Sequence, residues 1–130
     1  MMIKPSKLPK PTEAELELLR VLWIKDWATV REVHEQIAQQ RPLGYTSVLK
    51  LLQIMTEKGL VQRTEANKAH LYRASVRQQD TQDQLLRDLS DRLFSGSAAQ
   101  LAMHALSMEP AHAGELEEIR KLLEQRGRKP

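Results

Sequence analysis

The residues of this chain best suited to chemistry do not form an active site. Tyr45, Thr46, Ser47, Lys50 and Gln53 fall at helical spacing, and Arg63 and Lys68 follow in the next stretch. Hydroxyls, amides and amines on one helix face are the groups that meet base edges in a DNA major groove, while lysine and arginine meet phosphates. Leu49, at the edge of that face, suits a thymine methyl or an apolar partner equally. The plainer reading is a solvated helix face, to which Glu57 on the same side would also belong. Hydrolytic and redox chemistry find no support. The absence of cysteine excludes thiol catalysis, disulfides and thiolate metal sites. His34, His70, His104 and His112 have no ligand-pair spacing, so no metal or cofactor is expected, and His34 and His70 read as surface or hinge residues. Glu117-Glu118 suits a solvated helix face, and no glycine-rich phosphate loop or nucleophile elbow occurs. An enzyme is not expected.

Elements that could hold the polar face in place are legible around it. Val48, Leu51, Leu52 and Met55 recur at i, i+3, i+4 and i+7, the spacing of one buried helix side, and Gly59 stands where a left-handed cap would end the helix. Residues 60–65 and 69–73 are β-capable runs around Ala66-Asn67-Lys68, with Asn67 the best of the three for a positive φ. Upstream, Thr12-Glu13-Ala14-Glu15 and Thr29-Val30-Arg31-Glu32 have the form of capping boxes. The first opens a helix with Leu16, Leu18, Leu19, Leu22 and Trp23 on its apolar side. The second opens one that buries Val30, Val33 and Ile37. Trp23 and Trp27 read as packing residues. Three helices and a hairpin outline a winged helix-turn-helix over residues 12–75. Residues 1–11, with three lysines and three prolines and little to bury, read as a flexible basic arm.

Composition agrees with this division. The net charge of the 130 residues is +3. Residues 1–75 carry 12 Lys and Arg against 8 Asp and Glu, and residues 76–130 carry 8 against 9, so the basic excess lies with the polar helix face. No apolar run is long enough to span a bilayer, and the basic residues do not line one amphipathic helix. A soluble, cytoplasmic protein without membrane contact is expected.

Residues 76–130 read as a helical dimerisation region. Leu85, Leu86, Leu89 and Leu93 share a face of a helix over 78–94, Ser95-Gly96-Ser97 interrupts it, a helix rich in small residues follows, and Leu116, Ile119, Leu122 and Leu123 mark a last one. Such short helices offer one another little core. A two-fold dimer would bury their stripes and present two reading heads, with Leu89, Leu93, Leu101 and Leu123 in or near the contact. Packing back onto the first domain is the alternative. The fold class expected is therefore mainly α with a small β-hairpin wing.

Taken together, Leu16-Glu17-Leu18-Leu19-Arg20-Val21-Leu22-Trp23, Tyr45-Thr46-Ser47-Val48, Glu57-Lys58-Gly59-Leu60-Val61 and Leu71-Tyr72 resemble the penicillinase-repressor family of winged-helix regulators, over nearly the whole chain. That family includes the methicillin-resistance and copper-transport repressors. The resemblance implies a homodimer that binds a palindromic DNA operator and represses the adjacent gene, with Tyr45, Thr46, Ser47 and Lys50 on the recognition helix. Copper-responsive members end in a cysteine-rich metal site, which this chain lacks. The β-lactam-responsive members are inactivated by proteolysis at an Asn-Phe bond, where His104-Ala105 stands here. A regulatory protease is thus an implied partner whose usual target bond is missing. The competing function, a winged-helix module for protein–protein contact, would favour larger apolar residues at positions 46, 50 and 53.

Overall fold

The computed structural model describes residues 8–127. Helix α1 (Glu13–Lys25) opens on the Thr12 box: the Glu15 amide donates to the Thr12 hydroxyl and the Thr12 amide to the Glu15 carboxylate, at 3.2 and 2.9 Å. Strand β1 (Ala28–Thr29) leads directly into α2 (Val30–Ala38), where Thr29 and Glu32 repeat the arrangement. Helix α3 (Tyr45–Lys58) starts at Gly44, which has no side chain to cap it. It ends at Gly59 with φ 84°, where the Leu60 amide reaches the Met55 carbonyl at 2.9 Å, a Schellman closure. The left-handed cap expected at Gly59 is present.

Strands β2 (Val61–Ala66) and β3 (Ala69–Ala74) form the hairpin, and β1 adds to its other edge, giving an antiparallel sheet in the order β1-β3-β2. Ala66 pairs with Ala69, so the turn is two residues, not the three expected. Both Asn67 (φ 51°) and Lys68 (φ 65°) are left-handed. Two positive φ values in a two-residue loop match the right-handed twist of the strands, and Asn at the first position carries the conformation more easily than Lys at the second. Strand β1 leaves no signal in the sequence, because two residues carry no alternation and Thr29 already reads as a helix cap.

One core holds these elements: Leu18, Leu19 and Leu22 of α1, Val33 and Ile37 of α2, Val48, Leu52 and Met55 of α3, then Leu60 and Tyr72, each at most 2% exposed. Leu51, expected with them, is only partly buried and packs at the edge. Trp23 packs against the cluster and its indole donates to the Val76 carbonyl at 2.9 Å. One finding departs from the sequence reading. Leu8, assigned to an arm with little to bury, is 9% exposed, and its carbonyl accepts from Gln84 Nε2 at 2.7 Å; residues 1–7 of that arm lie outside the described residues. The first compact unit runs to Leu86, and Val76 and Thr81 are buried in it.

The second unit begins at Arg87. It holds the end of α4 (Gln78–Leu93), α5 (Ala98–Met108) and α6 (Ala113–Gly127). Ser95 and Gly96 turn the chain with positive φ, and Ser97 caps α5 by accepting from the Gln100 amide. Phe94 and His104 meet edge to face at 5.8 Å. No residue of α5 or α6 is buried.

Candidate nucleic-acid interface

Helix α3 divides its residues cleanly. Val48, Leu52 and Met55 are fully buried, so the opposite side of the helix points outward, and Leu49 and Leu51 lie half-buried on its flanks. Thr46, Ser47, Lys50 and Gln53 are all exposed, and Tyr45 is 47% exposed. Leu49 is half-buried against the core and offers only an edge. In the wing, Arg63 lies mid-strand opposite Tyr72 and Lys68 occupies the tip, both exposed. Among the described residues Lys50, Arg63 and Lys68 form no ion pair. Arg73, by contrast, is held by Asp26 at 3.0 Å and lies over the Trp27 ring at 5.5 Å.

These parts meet at a shallow hollow between the first turn of α3, the start of α2 and the wing tip, lined by Arg31, Tyr45, Leu49, Lys68 and His70 among others. Arg31 was not among the residues singled out from the sequence. It sits in the first turn of α2, where the helix dipole favours acidic side chains. A base placed against the dipole is a signal that could have found it. His70 lies 3.7 Å from Glu65 across the hairpin. The hollow therefore gathers two permanent cations, an aromatic hydroxyl and an aliphatic edge, a set suited to a sugar-phosphate strand.

His34 is part-buried: its Nε2 lies 2.9 Å from the Leu43 carbonyl, and its ring meets Tyr45 edge to face at 5.9 Å. The far end of α3 is tied down too. Lys58 Nζ lies 2.6 Å from Glu15 Oε1, and Glu15 is 3% exposed. Burial pushes the Glu15 carboxyl up, but the Lys58 ammonium and the Thr12 amide and hydroxyl outweigh it and hold the group below its ordinary value. The Thr29 amide and hydroxyl lower the Glu32 carboxyl likewise. Of the four leucines expected at a subunit contact, Leu93 and Leu123 are 68% and 65% exposed, Leu89 is 38% exposed and Leu101 is half-buried. Among the described residues no group of three or more His, Cys, Asp or Glu could hold a metal ion, and no helix is long and apolar enough to cross a membrane.

A three-helix core with a hairpin wing beside a polar, basic helix face defines a winged-helix transcription regulator. The family model described as penicillinase repressor matches residues 11–125. The chain belongs to that family, one of DNA-binding transcriptional repressors. It is 24% identical over 112 residues to the methicillin resistance regulatory protein MecI of Mammaliicoccus sciuri, covering 86% of this chain and 91% of that one. To the transcriptional regulator BlaI of Mycobacterium tuberculosis it is 35% identical over 68 residues, 52% of this chain and 49% of the other. In fold it is similar to the solution structure of the DNA-binding domain of the repressor BlaI, with a TM-score of 0.51 at 20% identity, over 57% of this chain and 90% of that domain.

Proposed function

We propose that the chain is a sequence-specific repressor that acts as a cytoplasmic homodimer on a palindromic operator. One observation carries the reading: the outward face of α3 presents Thr46, Ser47, Lys50 and Gln53 to solvent beside a wing tipped with Lys68. Tyr45, Thr46, Ser47, Leu49, Lys50 and Gln53 then face the major groove, and Arg63 and Lys68 the phosphates. Support comes from the Bacillus licheniformis BlaI, whose monomeric form was solved in complex with the blaP half-operator. For the dimer, the exposure of Leu93 and Leu123 is the support, since apolar stripes of this kind mark interaction surfaces. Leu89, Leu93, Leu101 and Leu123 lie in or near that contact. A regulatory protease that cuts within residues 95–110 would separate the reading heads. His104-Ala105 lies inside α5, so the helix must open locally first.

The test is a gel-shift titration with DNA from upstream of the protein's own gene, with light scattering alongside. A dimer that prefers this DNA to an unrelated duplex, over half-sites about 10 base pairs apart or a multiple of that, is the expected result. A full-length monomer with tight operator binding would overturn the dimer. Equal affinity for both duplexes would overturn sequence-specific recognition.

A further inference from the structure

We propose that His34 is a positioning residue for DNA recognition: through its contacts with Leu43 and Tyr45 it sets the first turn of α3, on which discrimination between DNA sequences depends. The proposal rests on the DNA-binding reading above and deepens it. The Leu43 carbonyl can only accept, so at 2.9 Å His34 Nε2 carries the proton and donates. That bond spans nine residues and ties the body of α2 to the residue just ahead of the Gly44 cap. The same imidazole meets the Tyr45 ring edge to face, with 5.9 Å between centroids and planes at 78°. Gly44 supplies no capping side chain, so α3 lacks the usual local anchor for its first turn. His34 supplies one from the neighbouring helix.

Tyr45 is where this anchoring meets the nucleic acid. It lines the hollow with Arg31, Leu49 and Lys68, and Thr46 and Ser47 follow it on the same turn. A side chain held by contact on one side and open on the other transmits small displacements to its free edge. Base readout demands hydrogen-bond geometry, whereas attraction to phosphates tolerates such displacement. Loosening His34 therefore lowers specific binding more than non-specific binding.

The experiment measures, for the full-length protein, the ratio of affinities for a duplex enriched from a random library by the wild type and for a shuffled duplex of equal composition. His34→Ala is expected to lower this ratio about tenfold, with non-specific affinity unchanged. His34→Gln can still donate to Leu43 but loses the ring contact, and His34→Phe does the reverse; each is expected to lose part of the ratio. In a Tyr45→Ala background, His34→Ala should cost only the share that the Leu43 bond carries, the loss seen in His34→Phe, whereas a merely structural role would add its full effect to that of Tyr45→Ala. A His34→Ala ratio equal to wild type overturns the proposal. Should that variant fail to fold, full ratios in both the Gln and Phe variants overturn it instead. If the wild type enriches no duplex at all, the DNA-binding reading itself falls, an outcome distinct from either.

Discussion

The two compact units of this chain treat their apolar residues in opposite ways. In the first, Val48, Leu52 and Met55 of α3 are fully buried, and ten large side chains are at most 2% exposed. In the second, Leu93, Met103, Leu116, Leu122 and Leu123 are each more than half exposed, and α5 and α6 bury nothing. Both carry amphipathic helices of similar length. The first unit buries one side of α1, α2 and α3 in a common core, although Ile24 and Leu86 stay exposed there, whereas α5 and α6 of the second bury no residue. The same local pattern can thus end buried or exposed, and only long-range packing tells the two apart.

Breaking the chain between the units tests this most severely. The fragment 1–86 is expected to fold as a monomer and to bind the operator at least about a hundredfold more weakly than the full chain, because in the proposed dimer linked reading heads would engage two half-sites together. Sedimentation and fluorescence anisotropy check it; a fragment that binds as tightly as the full chain removes the contrast. Next in size, Leu52→Ala should cost about 2–5 kcal/mol in chemical denaturation, as for other fully buried leucines. Leu123→Ala, by contrast, should shift the dimer dissociation constant and leave the first unit's unfolding transition in place.

Smaller effects separate recognition from attraction within the first unit. Lys50→Ala should reduce discrimination by about 1–3 kcal/mol if it removes a base contact. Lys68→Gly should instead stabilise the hairpin, relieving a left-handed lysine worth about 1 kcal/mol, while it lowers the salt dependence of DNA binding by about one unit. Opposite signs for stability and affinity in one variant would mark the wing tip as a site where function overrides backbone preference.

The smallest effect concerns acid. Glu15 has a carboxyl lowered from an ordinary value of 4.5, so it contributes stability above that value and loses it as the pH falls through the lowered one. Glu15→Gln should be less stable than wild type near neutrality and lose less on acidification. Denaturation at a series of acid pH values measures the difference. The second unit has no comparable buried carboxylate among the described residues.

What the sequence made legible was local. Both capping boxes, the Gly59 stop and the buried side of α3 each depend on residues within a few positions, and all are present. The polar face followed from the buried one by geometry. Contacts between distant residues were not legible: Glu15 with Lys58, Leu8 with Gln84, Trp23 with Val76 and the meeting of Arg31 with Lys68 in one hollow. His34 shows the limit well. Its i+9 bond to Leu43 depends on the path of the loop after α2, which no periodicity announces. The expected turn is one residue too long because Ala66, which carries no strand signal of its own, pairs with Ala69 and closes the hairpin around Asn67 and Lys68.

The bond from Gln84 to Leu8 joins residues 76 positions apart. On the ribosome the three helices and the wing emerge well before Gln84, yet the segment ahead of α1 has no partner in α4 until that residue appears. Leu8 belongs to the core cluster, so its side chain has partners before then, and only its carbonyl waits for Gln84. The last stitch in the reading head is therefore made by the helix that leads into the second unit. A nascent chain that stalls before α4 is complete would release a winged helix whose first segment lacks this one bond.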